Sequence, residues 1–264
     1  MDERENARHW EENAATWTEL VRRGYDRARD YVNNPSFFAM LPEVRGLDGL
    51  DLGCGEGYNT RLVADRGARM TGVDIAWGMV RPAAAHEREE PRGVRLVRAS
   101  GVALPFADAS FDFAVAFMSL QDMPEHDRVF AEIARVLKPG GFLQFSTLHP
   151  CFGRAPFEWA EDADGRRRAR IVSNYFRELD GEIDEWTFGA ARRDGVERPP
   201  FRCPIFSGTL ASWLNRVAGA GFAIERVAEP RPDAATLAQF PSLYRYGVVP
   251  NFLQIRAATG ERLR

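Results

Sequence analysis

Three glycines at alternate positions, Gly53, Gly55 and Gly57, separate an apolar run from a stretch of helix formers in Gly49-Leu-Asp-Leu-Gly-Cys-Gly-Glu-Gly-Tyr-Asn-Thr60. Glycine lacks Cβ and tolerates positive φ, so such a turn lets backbone N–H groups and a helix N-terminus approach a ligand closely. Asp51, just before the turn, offers a carboxylate to a ligand amine. A second carboxylate, Asp74, closes the next apolar run, where it can accept both hydroxyls of a ribose. A dinucleotide fingerprint needs its third glycine at position 58, and that residue is Tyr58. His149 is a further reactive group: an imidazole at the end of an apolar run can take a proton from a hydroxyl or an amine. A bland reading stands beside each: a tight strand-to-helix turn, a helix N-cap at Asp74, and a hydrogen-bonded loop histidine.

Alternating elements must position these groups. Apolar runs end at Leu52, Ile75, Arg98, Phe117 and Ser146, and helical spacing follows at Asn59–Asp65, Gly78–Glu90 and Pro124–Leu137. Strand–helix alternation of this kind predicts an α/β fold with a mostly parallel sheet. Phe111-Asp-Phe-Ala-Val-Ala-Phe117 is almost wholly apolar, as a central parallel strand covered on both faces should be. Lys138-Pro-Gly-Gly reads as a helix stop and turn. Helix Leu210–Ala218, with Thr209 as N-cap, strand Phe222–Val227, a loop over 230–247 and strand Val248–Ala257 complete the core.

Two segments lie outside that alternation. Residues 6–32 carry apolar residues at helical spacing, and Asn33-Asn34-Pro35 predicts the helix stop. Trp17 and Tyr25 there read as a lid face that contacts a planar substrate or a cation, or as plain packing. Residues 150–206 contain Asp164-Gly165, Asp180-Gly181 and Asp194-Gly195 between alternating runs, which predicts an inserted antiparallel ribbon. Tyr175 and Trp186 would line a substrate pocket from it. The expected organisation is a helical lid at 1–45, a core at 46–149 and 207–264, and a β-ribbon cap at 150–206.

Composition narrows the classes. The chain has 264 residues with 45% hydrophobic content, enough for one large α/β domain with an insertion. A net charge of −3 gives no footprint for nucleic acid. Lys138 is the only lysine, a coding bias toward arginine. Three cysteines, Cys54, Cys151 and Cys203, make neither a disulfide framework nor a metal-site spacing, so no metal is expected. The charged N-terminus lacks a secretory h-region and no apolar run is long enough to span a bilayer, so a cytoplasmic protein without membrane contact is expected.

The ordered set of glycine turn, Asp74, Leu104-Pro-Phe with Phe111-Asp, and Lys138-Pro-Gly-Gly resembles the class I S-adenosylmethionine (SAM) dependent methyltransferases, in particular small-molecule, quinone-biosynthesis-like members. The resemblance covers about residues 47–148 and 207–258. It implies a Rossmann-like, seven-stranded, mostly parallel sheet with an antiparallel last strand. It implies SAM contacts from Asp51, Gly53, Cys54, Gly55, Gly57, Asn59, Asp74, Ile75, Met79, Ser100, Gly101, Val102, Phe117 and Met118. Gln121 and Asp122 would face the reaction centre. Ser100 departs from the family's aspartate, which contacts the adenine amino group; a hydroxyl can still accept there, without the charge. The implied reaction is in-line methyl transfer that leaves S-adenosylhomocysteine, with His149 as candidate base. The expected acceptor is a small, partly aromatic or apolar metabolite of secondary metabolism, O- or N-methylated, and the expected assembly a monomer or homodimer. A non-catalytic SAM-binding protein and an NAD-dependent oxidoreductase are the rival readings.

Overall fold

The computed structural model describes residues 1–153 and 157–260; the expected cap and core also include 154–156 and 261–264, which lie outside the described residues. The chain opens with helix α1 (Glu3–Arg22), whose N-cap Asp2 accepts from Glu5 N–H. A π-helical turn (Arg29–Asn33) leads into α2 (Asn34–Met40). Asn33-Asn34-Pro35 therefore does not end the helical segment. Pro35 sits in the first turn of α2, where its missing N–H costs nothing, and the break falls earlier, at Gly24.

The core follows as β1 (Asp48–Leu52), α3 (Tyr58–Ala64), β2 (Arg69–Asp74), α4 (Trp77–Glu89), β3 (Arg95–Arg98), β4 (Phe111–Phe117), α5 (His126–Val136) and β5 (Leu137–Leu148). An inserted stretch carries β6 (Phe157–Glu161), β7 (Arg167–Val172), β8 (Leu179–Trp186), α6 (Gly189–Arg193) and β9 (Phe201–Ser207). It is followed by α7 (Leu210–Gly219), β10 (Phe222–Ala228), α8 (Ala234–Gln239) and β11 (Phe252–Thr259). Seven strands form one sheet in the order β10-β11-β5-β4-β1-β2-β3; β11 runs antiparallel to both neighbours and the other pairs are parallel. Strand order reverses beside β1, with β2 on one side and β4 on the other. Open α/β sheets bind ligands at the carboxyl edge of such a switch point.

Helix α5 buries Val129, Phe130, Ile133 and Val136 on one face against β4 and β5, a 3.6-residue pattern meeting a continuous apolar strand. Trp213 of α7 is fully buried against Phe130 and Phe145.

The inserted stretch is two separate ribbons. β6 and β7 pair across Asp164-Gly165 as a hairpin. The other two Asp-Gly pairs are not hairpin turns. Asp180-Gly181 is a bulge within β8, where Gly181 has φ +92°, and Asp194-Gly195 ends α6 with Gly195 at φ +68°. A left-handed glycine serves bulges and helix ends as readily as hairpins, so the dipeptide alone does not choose. Residues 230–247 also hold more than loop: α8 and a 3₁₀ turn over Pro241–Gly247.

Trp17 of α1 meets Trp186, Phe188 and Phe201 with ring centroids 5.8, 5.4 and 5.1 Å away. These contacts weld α1 to the β8–β9 ribbon above the sheet's carboxyl edge. Among the described residues, no helix is long and apolar enough to cross a membrane.

Candidate active site

At the carboxyl end of β1 the turn is tied to β2, because Gly53 N–H and Cys54 N–H both donate to the Val73 carbonyl, at 2.8 and 2.9 Å. Gly53 has φ +72°, and a Cβ there would stand 2.4 Å from Ser119 Cβ, so the position admits only glycine. Gly55 has φ +56° but faces open space, with no atom within 4 Å of a Cβ placed on it. The first glycine lets the chain pack; the second leaves room for a ligand.

Two carboxylates flank this turn. Asp74 accepts from Gly55 N–H at 2.9 Å and Ala76 N–H at 3.0 Å, bracing both sides of the crevice. Burial pushes it up to about 6, opposed by those backbone donors. Asp51 is buried and accepts from the Thr60 hydroxyl at 2.6 Å through Oδ2, while its Oδ1 has no partner. Burial pushes Asp51 up to about 7, the Thr60 hydroxyl opposing and the Asp74 charge adding. A buried carboxylate oxygen without a donor is costly, and a ligand ammonium would relieve it.

A cation stands opposite. Arg29, on the π-helical turn, pairs with Asp30 at 2.8 Å and lies 3.8 Å from the Tyr58 ring centroid, yet its Nη2 is buried and unpaired. Burial opposes its charge, but Asp26, Asp30 and Glu56 hold it charged. Sequence reading missed Arg29 because a π-helical turn shifts side chains off the 3.6-residue face on which the segment was judged. The visible signal was a cation between Asp26 and Asp30 on a segment already read as a lid.

One cavity of about 620 Å³ contains all of this. Its wall includes Asp51, Gly53, Cys54, Gly55, Asn59, Asp74, Ile75, Met79, Ser100, Gly101, Val102, Phe117 and Met118, together with Trp17, Tyr25, Gln121, Asp122 and Trp186. Gly57 is not on the wall; it is the left-handed N-cap of α3, packed toward Ala83. The Ser100 hydroxyl accepts from Val102 N–H at 3.2 Å, which shapes the 100–103 turn on the cavity wall.

His149 and Tyr175 do not face the cavity. The buried His149 accepts from Cys151 N–H through Nδ1 at 3.2 Å and pairs through Nε2 with Glu229 Oε1 at 2.8 Å. Both ring nitrogens are engaged, so His149 serves the loop after β5 as a structural residue. The Tyr175 hydroxyl accepts from Leu210 N–H at 2.9 Å, helping to hold the start of α7. His9 and His126 are buried as well; His126 Nε2 pairs with the Leu120 carbonyl at 2.8 Å, and burial pushes it down to about 4.

The groups near the end of β4 are carboxyls instead. Met118 has φ +55°, a conformation that costs a non-glycine residue free energy and is held here because the Met118 amide donates to Ser146 at β5 and its carbonyl accepts from the Gln121 side chain. Gln121 also donates to Asp122 Oδ2 at 3.1 Å. Burial, then the charges of Asp184 and Asp74, raise Asp122 well above the usual carboxylate range, against the Gln121 bond. Burial also raises Asp184, which comes from β8 on the cavity wall. Among the described residues no cluster of His, Cys, Asp and Glu is arranged to hold a metal ion.

Comparison with known proteins agrees with this geometry. A family description reading "Methyltransferase domain" matches residues 50–145. The crystal structure of a SAM-dependent methyltransferase from Mesorhizobium loti superposes with a TM-score of 0.67 at 31% identity, covering 85% of this chain and 96% of that one. Among curated relatives, a phthiotriol/phenolphthiotriol dimycocerosates methyltransferase of Mycobacterium ulcerans is 31% identical over 159 residues, covering 59% of this chain and 55% of the relative. The 27-O-demethylrifamycin SV methyltransferase of Amycolatopsis mediterranei is 35% identical over 144 residues, covering 53% and 50%. The match to the curated relatives thus spans about half of their length or less.

Proposed function

The chain belongs to the class I S-adenosylmethionine-dependent methyltransferase family, and from that premise we propose that it methylates a small acceptor held between the carboxyl edge of the sheet and the aromatic cap. The observation that carries this reading is the single cavity running from the Asp51–Asp74 crevice to the α1 and β8–β9 aromatics.

The residues present suit the cofactor. Asp51 Oδ1, buried and unpartnered, suits its ammonium, and Arg29 Nη2, equally unpartnered, suits its carboxylate. Asp74 retains acceptor capacity for the ribose hydroxyls, and Ser100, Val102 and Met79 take the base. When bound, SAM supplies a methyl group on an already activated sulfonium. The protein's part is to position the acceptor and exclude water. Residues 1–45 and the insertion act as the lid and cap. The Trp17 cluster closes the aromatic side.

Proton removal falls to Asp122 rather than His149. Asp122 and Asp184 face the same cavity; burial raises both, and the Asp184 charge raises Asp122 further, so Asp122 retains a proton at a pH where free carboxylates hold none. Its ionised form takes the proton of an acceptor hydroxyl or amine, which favours O- or N-methylation. Relatives named as methyltransferases of 27-O-demethylrifamycin SV and of phthiotriol/phenolphthiotriol dimycocerosates support a partly aromatic or apolar metabolite of secondary metabolism.

Calorimetry with SAM, S-adenosylhomocysteine and NAD, on wild type and Asp74→Ala, tests the cofactor half. Micromolar SAM binding that Asp74→Ala abolishes is expected; NAD binding in its place would overturn the reading. Formation of S-adenosylhomocysteine over a panel of phenols and amines tests the acceptor half.

A further inference from the structure

One part of the cavity wall has no use in methyl transfer as described. The β6–β7 hairpin and the 3₁₀ turn before β11 bring Arg167, Arg170 and Arg245 to it. The Arg170 guanidinium lies 3.7 Å from the Phe157 ring centroid and 4.5 Å from that of Trp159, which fixes its plane. Its Nη1 donates to the Phe152 carbonyl and, at 3.3 Å, to Asn251 Oδ1, while its Nε is buried without a partner. Arg245 donates to the Tyr246 hydroxyl at 3.0 Å. Among the described residues no carboxylate lies within ion-pair distance of Arg170 or Arg245; Arg167 alone has one, Glu161 at 3.6 Å.

Cations gathered in a partly buried wall without counter-charge are unfavourable unless a ligand supplies the anion. Burial, then repulsion from Arg245, lowers Arg170 to about 10, so it remains charged at neutral pH and its charge is uncompensated. A guanidinium held in plane by aromatic rings, with a free Nε–H, is the donor geometry that takes an oxyanion bidentately.

We propose that Arg170 and Arg245 form an anion subsite for the acceptor, so that the molecule methylated carries a carboxylate or a phosphate. The word acceptor rests on the methyltransferase reading; the anion site does not.

The test titrates benzoate, phenyl phosphate and the neutral benzamide into wild type, Arg170→Gln and Arg245→Gln, with and without S-adenosylhomocysteine, following tryptophan fluorescence. At least one anion should bind about tenfold or more tighter than benzamide, as expected for a charge-assisted bidentate pair. Each substitution should remove that preference while leaving benzamide and S-adenosylhomocysteine affinities unchanged. Preference for phenyl phosphate over benzoate would mark a phosphorylated acceptor, and the reverse a carboxylic one. Retained S-adenosylhomocysteine binding also shows that the variants fold. Equal affinity for benzamide, saturable binding of neither anion up to millimolar concentration, or anion binding untouched by both substitutions would each overturn the proposal. So would a parallel loss of S-adenosylhomocysteine affinity, which would give these arginines to the cofactor. Wild type that binds anions but not S-adenosylhomocysteine would keep the anion site and sink the methyltransferase reading.

Discussion

Replacing Asp51 by asparagine should make the ligand-free protein more stable at alkaline pH while weakening its hold on the cofactor. In the wild type, Oδ2 accepts from Thr60 and Oδ1 lies buried without a donor. Folding raises the carboxyl from 3.8 to about 7. A carboxyl raised on folding contributes stability that is fully present below about pH 4 and is lost as pH rises through the folded value. The rise is about 3 pH units at about 1.4 kcal/mol each, so the loss by pH 8 is about 4 kcal/mol, of which about 3 kcal/mol falls between pH 5 and pH 8. Asparagine keeps an acceptor for Thr60 and does not titrate. Urea unfolding of both proteins at pH 5 and pH 8 reads the effect: the variant's stability relative to wild type should rise by about 3 kcal/mol between the two. Asp74 titrates in both proteins, so all of its contribution except its coupling to Asp51 cancels. Loss of the charge-assisted bond to the cofactor's ammonium should weaken S-adenosylhomocysteine binding by about 10- to 100-fold. A relative stability that is the same at both pH values, or an unchanged affinity, would refute the assignment of Asp51 as a buried carboxylate awaiting a cation.

Asp122→Asn should lower kcat by about 10²-fold or more and flatten a wild-type profile that rises with pH above the usual carboxylate range, with S-adenosylhomocysteine binding retained in calorimetry. His149→Gln should leave kcat within about twofold of wild type and lower the unfolding free energy by about 1–2 kcal/mol, since one of its bonds closes the loop after β5 and the other ties that loop to Glu229 after β10. Gly53→Ala should cost several kcal/mol, measured by urea unfolding, because its Cβ would overlap Ser119 at positive φ. Gly55→Ala should cost only about 1–2 kcal/mol but weaken cofactor binding, because its methyl would fill the space the ligand approaches through.

Much of this protein was legible as sequence because the deciding physics is local. Strand-to-helix alternation, a turn that only glycine can make at Gly53, and a carboxylate at the tip of the second strand each depend on a few neighbouring residues. Those signals were enough for the strand–helix alternation and the carboxylates Asp51 and Asp74 beside the glycine turn, while the seven-stranded sheet and the Ser100–Val102 turn were implied by the family resemblance they carry.

Tertiary structure decided the roles that depend on which way a side chain points and what meets it from afar. His149 stands where an active-site base would stand in sequence, yet Glu229, eighty residues away, and the Cys151 amide take both its nitrogens. Arg29 looks like one more polar residue on an amphipathic helix until a π-helical turn aims it at Tyr58 and the crevice. Asp184 and Arg170 sit on alternating runs that say strand and nothing more. Only packing of the two ribbons over the sheet places one beside Asp122 and leaves the other without a counter-charge. Burial and pairing are sums over distant segments, and the chain's local chemistry carries no record of them.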